Sequence, residues 1–285
     1  MSIVLDIPTD LAAKLDAARA RLRGLGSVLV AFSGGADSAL VLALAQQAVG
    51  DRAAAGMGIS AAYPAEEIDA ARDFAAHLGV RFLEADTAQL DDPDFLRNDS
   101  QRCYHCRDEL YAVLRDLATR HGLAAVCDGT NADDLNDHRP GRRAALEAGV
   151  VSPLADAGIT KAEVRAASRA LALPTWDKPQ QACLSSRIPR GTAITLVALR
   201  RVERAERLLH AEGFRQVRVR EHGDCARVEV EAADIARLLD APLRTRVVDG
   251  LRACGYAFVS LDLEGFASGK LNRLVPPDER TGGAP

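Results

Sequence analysis

The sequence predicts an α/β fold, in which a doubly wound parallel sheet is followed by a smaller C-terminal α+β domain. Through the first 175 residues, short apolar runs alternate with segments whose apolar residues recur at helical spacing. Strands that alternate with helices form a parallel sheet covered on both faces. Beyond residue 190, runs with period-two alternation surround a short polar turn, which predicts a second domain of different construction.

Each element is predicted from its own hydrophobic period. In the first domain, we expect helices at 11–22, 39–48, 64–77, 107–121 and 161–171, and strands at 28–32, 53–60, 80–83, 124–127 and 150–153. In the second, we expect helices at 195–212, 233–239 and 243–254, and strands at 216–220, 227–231 and 256–261. Residues 91–100 are polar and acidic, which predicts a loop or a short helix.

The predicted organisation has four parts. Residues 1–175 form the α/β domain, and 176–192 form a proline-rich interdomain segment that carries a cysteine. Residues 193–275 form the small α+β domain. The tail at 276–285 is rich in Pro and Gly, so we expect it to be disordered.

The composition narrows the class of protein. At 285 residues the chain suits two domains, and 48% hydrophobic residues suffice for sizeable cores. The formal net charge of −4 does not support the basic face with which proteins grip nucleic acids. Residues 1–10 lack the pattern of a signal peptide, and no apolar stretch approaches the ~20 residues of a membrane helix. We therefore expect a soluble cytoplasmic protein with no nucleic-acid or membrane partner, in which six cysteines indicate metal or redox chemistry before structural disulfides. Cys127, Cys225 and Cys254 lie in apolar strand or helix patterns, so we expect these three in the core.

The string SGGADS, which begins directly after the first strand, has the features of an anion site. Gly34 and Gly35 let backbone N–H groups approach an anion, and Ser33 and Ser38 add hydroxyl donors beside a helix N-terminus. Asp37 would repel an anion unless it orients the loop or holds a divalent cation, for which we expect Mg²⁺. The lysine of GxxxxGK[ST] is absent. The string in this context resembles the loop of the PP-loop ATP pyrophosphatases, which implies that ATP is cleaved to AMP and pyrophosphate.

Polar residues follow two further strands of the predicted sheet. Ser60 follows the second strand, and Gly129, Thr130 and Asn131 follow the fourth. Ligands of such sheets bind beyond the carboxyl ends of the strands, so we expect these residues to contact the nucleotide or its metal ion. The alternative is a solvated helix cap, since Thr, Asn and Asp all cap helices well.

Three cysteines lie in polar surroundings. Cys103 and Cys106 form a CxxC at the start of a helix, a spacing that lets two thiolates converge. Two unrelated thiols are the alternative. There is no second CxxC, so the pair needs a partner from elsewhere, and Cys183 is the natural candidate. As a lone cysteine it would more often be a small buried hydrophobe, but proline and polar residues frame it.

Several strings together resemble the LarE family, ATP-dependent sulfur transferases that make the nickel-pincer nucleotide cofactor. They are SGGADS, RCYHC, DGTNADDLNDHRPG, ACLSSRIPRGTAIT, VRVREHGDCARVEV and LDLEGFASGKLN, spread over residues 25–273. The resemblance implies an adenine nucleotide alpha hydrolase-like PP-loop domain, with a small domain for substrate binding and oligomerisation. It also implies ATP and Mg²⁺ as cofactors and a homo-oligomer.

The implied reaction adenylates a carboxylate of pyridinium-3,5-biscarboxylic acid mononucleotide, and sulfur then displaces AMP to give a thiocarboxylate. In one class of the family, the cysteine that matches Cys183 gives up its own sulfur and becomes dehydroalanine. In the other, three cysteines hold a 4Fe–4S cluster that carries an exogenous sulfide or cysteine-derived sulfur. The sequence leaves both routes open. We favour a cluster on Cys103, Cys106 and Cys183, since a CxxC with a distant third cysteine is typical of such a site.

Arginines near Cys183 in sequence are candidates for binding the anionic substrate, because a guanidinium suits phosphate and carboxylate. The substrate-binding candidates are Arg139, Arg187, Arg218 and Arg220, of which Arg139 is matched from the resemblance. Solvated surface arginines are the alternative. Glu206 matches a family position that implies a Mg²⁺ ligand. Arg190 and the stretch 266–270 depart from the family pattern, so we assign them no role.

Two other functions fit the loop. A PP-loop tRNA thiolase also combines such a loop with cysteines, but it needs a basic RNA face. A non-catalytic nucleotide-binding sensor would need neither Asp37, Ser38 nor Cys183. Both remain alternatives to the sulfur transferase.

Overall fold

Among the described residues, the first sheet has four parallel strands in the order β3-β2-β1-β4. They are β1 (Val28–Ala31), β2 (Ala53–Ile59), β3 (Arg81–Asp86) and β4 (Ala125–Cys127). The computed structural model describes residues 7–136, 140–179, 182–267 and 270. Because every pair in this sheet is parallel, the carboxyl ends of all its strands lie at one edge. The predicted α/β class with a parallel sheet is confirmed.

The helices alternate with these strands and continue into the second half of the chain. They are α1 (Thr9–Leu25), α2 (Ala36–Val49), α3 (Ala65–His77), α4 (Pro93–Leu96), α5 (Arg102–Arg120), α6 (Pro140–Glu147), α7 (Pro153–Asp156), α8 (Lys161–Ala170), α9 (Leu196–Ala211) and α10 (Ala241–Ala253). No helix in the described ranges has both the length and the apolar composition needed to cross a membrane.

Helix α2 is the buried helix that follows the glycine loop. It is apolar all round, and it packs against β1, β2, α1 and α8. Leu40, Leu42 and Leu44 are fully buried, and each such side chain contributes about 1.5–3 kcal/mol through removal from water. The burial fixes the start of α2, and therefore the glycine loop, against the edge of the sheet.

A second sheet orders its described strands β5-β6-β7. β5 (Val217–His222) and β6 (Cys225–Val230) form an antiparallel hairpin, and β7 (Phe258–Leu261) pairs in parallel with β6. The hairpin turn needs Gly223, whose φ of +65° lies in the left-handed region. Helices α9 and α10 pack on this sheet over an apolar core. The predicted smaller C-terminal α+β part is thereby confirmed.

Several elements differ from their predictions, and helix α6 was not predicted at all. The expected strand 150–153 is reduced to a single bridge between Cys127 and Val151, because Pro153 opens helix α7 and has no N–H for a ladder. Helix α5 begins five residues before the predicted start at 107, so its first turn contains the CxxC. Residues Ala232–Leu239 form a 3₁₀ helix rather than an α-helix.

The described chain divides into two compact units that are not continuous in sequence. Unit 1 comprises residues 7–60, 65–89 and 103–179, and unit 2 comprises 61–64, 90–102 and 182–270. The boundaries near residues 175 and 192 stay predictions. The predicted tail at 276–285 lies outside the described residues.

Candidate active site

In unit 1, the SGGADS loop joins β1 to α2 and is closed by its own serines. The Ser33 N–H donates to Ser38 Oγ at 3.2 Å, and Ser38 Oγ donates to the Gly35 carbonyl at 3.2 Å. Gly34 has a φ of +71°, a conformation that favours glycine. Gly35 is the N-cap of α2, so the first backbone N–H groups of that helix have no partner within the helix. The loop therefore presents a preshaped set of donors to an anion.

The turn after β4 lies directly against this loop. A Cβ added to Gly129 would stand 2.7 Å from the Ser38 nitrogen, so no larger residue fits there without movement. The Asn131 amide donates to Asp37 Oδ1 at 3.2 Å. The structure thus brings together two groups that the sequence places about ninety residues apart.

A buried carboxylate holds that turn in place. Asp128 accepts from the Thr130 N–H at 3.1 Å, from Thr130 Oγ1 at 2.7 Å and from Ser152 Oγ at 2.7 Å. The Tyr111 hydroxyl donates to the same carboxylate at 3.2 Å. Burial raises the pKa of Tyr111 to about 12, so the hydroxyl remains a donor at neutral pH. Asp128 thereby orients the backbone of residues 129–131.

Two lysines distant in sequence also reach the loop. Lys161, the first residue of α8, makes an ion pair with Asp37. Lys178 donates to the Gly34 carbonyl at 3.1 Å and to a Glu67 carboxylate oxygen at 2.5 Å. They stand 124 and 144 residues from their loop partners, so no local motif could have identified the contacts. Both ammonium groups are paired with carboxylates in this structure.

The CxxC lies in the first turn of α5, where Cys103 is exposed and Cys106 is half-buried. Buried Gln89 donates its amide to Cys106 Sγ at 3.2 Å. Within the described ranges, no group of three His, Cys, Asp or Glu side chains could hold a metal ion. Cys183 belongs to the other unit. The three-cysteine cluster site therefore stays a prediction.

In unit 2, Cys183 is half-buried and immediately precedes a 3₁₀ turn at Leu184–Arg187. Arg187 folds back over this stretch, and its Nη1 donates to the carbonyls of Ala182 at 2.6 Å and Cys183 at 3.0 Å. We call residues 182–192 the Cys183 loop. Its cysteine is therefore carried by backbone that a buried arginine fixes from one side.

The guanidinium of Arg187 also forms a buried two-point ion pair with Glu206 on α9. Nε donates to Oε1 at 2.9 Å and Nη2 to Oε2 at 2.7 Å, with residue exposures of 1% for Arg187 and 5% for Glu206. Glu206 Oε1 also accepts from the Val219 N–H at 2.9 Å. Both carboxylate oxygens are committed within unit 2. The role of Glu206 as a Mg²⁺ ligand stays a prediction, and the pairing offers a structural alternative.

Arg218 and Arg220 lie on one face of β5 and are both buried. Arg220 donates to Glu229 at 2.7 Å and to the Ser186 carbonyl at 3.0 Å. Burial, and then the neighbouring Arg187 and Arg220 charges, lower the pKa of Arg218 to about 10. Because burial is the largest cause, the shift shows mainly that the Arg218 guanidinium is poorly solvated, a cost that a bound anion would offset.

The remaining predicted residues are Ser60 and Arg139. Ser60 follows β2 and is half-buried. Arg139 lies outside the described residues. Of the cysteines without a predicted site role, Cys127 and Cys254 are buried and Cys225 is half-buried.

A parallel sheet with an SGGADS loop before a buried helix defines a PP-loop protein, the class that cleaves ATP between its α- and β-phosphates. The family described as asparagine synthase matches residues 11–215. The chain belongs to the LarE family, within the PP-loop superfamily. It is 39% identical, over 89% of its length and 91% of the relative's, to pyridinium-3,5-bisthiocarboxylic acid mononucleotide synthase of Lactiplantibacillus plantarum.

Two uncharacterised proteins are also similar. One, from Synechocystis, is 42% identical over 93% of this chain and 99% of its own length. The other, from Methanocaldococcus jannaschii, is 28% identical over 61% of this chain and 67% of its own length. The family resemblance given by the motifs is therefore confirmed along most of the chain.

Proposed function

We propose that this chain is an ATP-dependent sulfur transferase. It adenylates a carboxylate of pyridinium-3,5-biscarboxylic acid mononucleotide, releases pyrophosphate, and replaces AMP with sulfur to give a thiocarboxylate. The Lactiplantibacillus relative, named for a bisthiocarboxylic acid product, supports the substrate class. The observation that carries the proposal is the loop at Ser33–Ser38, on which Lys161 and Lys178 converge.

Adenylation needs groups that take up charge on the leaving pyrophosphate. A carboxylate oxygen of the substrate attacks the α-phosphorus of ATP. The bond between that phosphorus and the oxygen bridging it to the β-phosphorus breaks, and pyrophosphate leaves. The loop N–H groups cradle the phosphates, and the ammonium groups of Lys161 and Lys178 move from Asp37 and Glu67 to them. Asp37 then offers an oxygen ligand to Mg²⁺, which would neutralise phosphate charge.

The substrate carries a phosphate and two carboxylates, so it needs a cationic surface. Arg218 supports this role, since its buried guanidinium has a lowered pKa and a bound anion would offset the cost of its charge. Arg220 is proposed as its neighbour on the same face of β5, and it is paired with Glu229. The guanidinium of Arg187 already donates to Glu206 and to the Cys183 carbonyl, which favours an indirect contribution of Arg187 to substrate binding. Arg139 is proposed on family resemblance, as is a homo-oligomeric assembly.

Two sources of sulfur are proposed as alternatives. In the first, the Cys183 thiolate displaces AMP to form a thioester. Loss of the Cys183 α-proton and cleavage of its Cβ–Sγ bond then release the thiocarboxylate and leave dehydroalanine. In the second, Cys103, Cys106 and Cys183 hold a 4Fe–4S cluster that supplies sulfur. Cys103 and Cys106 share one helical turn and would fit two ligand positions of such a cluster.

Pyrophosphate release from ATP tests the reaction class. Purified protein is given ATP and Mg²⁺ with the pyridinium dicarboxylate, with tRNA, or with neither. We expect release that depends on the dicarboxylate. Release with tRNA alone would instead favour the tRNA thiolase, and no cleavage under any condition would favour the nucleotide-binding sensor.

The source of sulfur is tested by anaerobic purification, an absorbance spectrum and the intact mass after turnover. A brown protein of unchanged mass supports the cluster. A colourless protein lighter by the mass of hydrogen sulfide supports loss of sulfur from Cys183. Full sulfur transfer by Cys183→Ala would contradict both routes.

A further inference from the structure

The Cys183 loop has an irregular backbone, and several of its carbonyl groups accept hydrogen bonds from side chains outside the loop. Apart from the 3₁₀ turn at Leu184–Arg187, residues 182–192 form neither helix nor strand. The carbonyls of Cys183, Ser185 and Pro189 also accept from N–H groups within the loop. Buried carbonyls without a hydrogen-bond donor are costly, so the donors from outside help to decide the shape of the loop.

Asn98 supplies the largest share of these donors. Its Nδ2 donates to the carbonyls of Pro189 and Thr192, each at 2.9 Å, and more weakly to Ile188 at 3.3 Å. Its own carbonyl accepts from the Gly191 N–H at 3.1 Å. The residue is fully buried, so this amide has no competing water. One side chain thus gathers the second half of the loop around itself.

Arg102 extends the same network to the first half. Its Nη1 donates to Asn98 Oδ1 at 2.7 Å and to the Ser185 carbonyl at 3.0 Å. The bond to Oδ1 also fixes which way the Asn98 amide points, because it leaves Nδ2 facing the loop carbonyls. Arg102 is buried as well.

The backbone of Asn98 is held in a conformation that side chains disfavour. Its φ is +56°, in the left-handed region, where a residue other than glycine is strained at some cost in stability. Glycine would remove that cost, but it has no amide. Strain of this kind persists where surrounding contacts over-determine it, and here those contacts all serve the shape of the Cys183 loop.

We propose that Asn98 and Arg102 are positioning residues for sulfur transfer, which shape the Cys183 loop so that the thiol of Cys183 is presented for the step after adenylation. The proposal rests on the proposed function. Both residues are buried and bond to backbone carbonyls of the loop, so they act through Cys183. The residues proposed to bind ATP belong to unit 1, whereas Asn98 and Arg102 belong to unit 2 and are not among the residues proposed to bind ATP or the substrate.

The experiment compares two products and the reactivity of one thiol. Asn98→Asp keeps the shape of the side chain but cannot donate to the loop carbonyls, and Asn98→Gly relieves the backbone while removing the amide. We expect pyrophosphate release within about twofold of wild type, and a thiocarboxylate yield per pyrophosphate lowered by about tenfold or more, since charged or buried hydrogen bonds contribute ~1–3 kcal/mol. The alkylation rate of Cys183 by iodoacetamide, followed by peptide mass spectrometry on apo protein, should change in both variants.

Arg97→Gln is the matched control, because Arg97 lies in the same segment and bonds to the exposed carboxylate of Asp94. Arg97→Gln should leave unchanged both the thiocarboxylate yield per pyrophosphate and the alkylation rate of Cys183. If Asn98→Asp does not fold, Arg102→Lys gives the same comparison. Lysine keeps the charge but lacks the planar guanidinium that donates to both Asn98 Oδ1 and the Ser185 carbonyl. Wild-type values of the product ratio and of Cys183 alkylation in these variants would overturn the proposal. Absence of pyrophosphate release in the wild type would instead refute the proposed function, and alkylation would still decide the positioning role.

Discussion

Lys161 acts on the loop through a contact that ATP would replace. Its ammonium is paired with Asp37, and the carboxylate also accepts from Asn131. A hydrogen bond to a charged group contributes ~1.5–3 kcal/mol, so we expect Lys161→Ala to lower pyrophosphate release by about tenfold or more. Lys14→Ala is the control. Lys14 lies on α1 and bonds at 2.7 Å to Glu163, which shares helix α8 with Lys161 but does not contact the loop. Equal rates of pyrophosphate release in the two variants would show that Lys161 does not contribute to ATP cleavage.

Gly129 is the residue whose size the loop tolerates least. The Cβ of alanine would stand 2.7 Å from the Ser38 nitrogen, and overpacking of this kind costs about 1–3 kcal/mol. Gly129→Ala should therefore lower the free energy of unfolding and weaken ATP binding, measured by denaturation and titration calorimetry. Gly24, in helix α1, has open space around it, so Gly24→Ala should instead stabilise by about 0.5–1 kcal/mol.

Strand β5 shows how one element can carry both packing and charge. Val217 and Val219 belong to the apolar core, whereas Arg218 and Arg220 lie on the opposite face. Burial, and then the neighbouring arginines, lower the pKa of Arg218 to about 10, so keeping this guanidinium charged in the folded protein costs stability. The strand therefore holds a poorly solvated charge at a position proposed to bind an anion.

We expect Arg218→Met to lower the free energy of unfolding less than Arg220→Met does, as measured by chemical denaturation. The first substitution removes a buried charge along with its contacts to the Val217 carbonyl and the Phe266 ring. The second removes a partner of the fully buried Glu229. Inorganic phosphate should stabilise the wild type more than Arg218→Met, as measured by thermal unfolding. Equal losses of stability in the two variants would contradict the expected difference.

Helix α9 is tied to the Cys183 loop by the pair of Glu206 with Arg187. Glu206→Gln leaves that guanidinium buried without its carboxylate, and breaking such a pair costs about 3–5 kcal/mol. The loss should appear in metal-free protein by chemical denaturation. The solvent-exposed pair of Glu212 with Arg246 is the control, and Glu212→Gln should change stability little. Were Glu206 mainly a Mg²⁺ ligand, its replacement would leave metal-free protein as stable as wild type.

The helices and most strands were predictable because each carries its own hydrophobic period. The sheet edge was predictable too, since Ser33 and Gly129 follow parallel strands. The prediction of a strand at 150–153 was wrong, because Pro153 begins helix α7 within this four-residue segment. Local pattern cannot decide such a contest, which depends on what neighbours the segment.

The candidate site was predictable where one string carried it and not where distant residues met. SGGADS contains its own chemistry, whereas Lys161 and Lys178 sit in ordinary helical and loop sequence. Asn98 likewise lies 94 residues before Thr192, whose carbonyl accepts its amide. Contacts of this separation are set by the fold, so the sequence alone gave no signal for them.

Over the whole molecule, nucleotide and metal should act as one stabilising ligand. ATP with Mg²⁺ at ~100 times its Kd should raise the free energy of unfolding by about 2.7 kcal/mol. Hydrogen exchange should slow at residues 33–39 and 128–136, where the loop and its supporting turn lie. Chelation of Mg²⁺ with EDTA should remove most of the gain. Protection confined to other parts of the chain would place the nucleotide elsewhere.

The discontinuity of unit 2 has a consequence for synthesis on the ribosome. Residues 90–102 leave the ribosome long before 182–192, whose carbonyls Asn98 and Arg102 bind. At ~5–20 residues per second, the 94 residues between Asn98 and Thr192 take about 5–20 s to make. During that interval the buried amide has none of its final acceptors, and Arg97 and Arg102 are open to trypsin-like proteases. Chains stalled near residue 180 should therefore be cleaved directly after Arg97 and after Arg102, and completed chains should resist cleavage at these two sites.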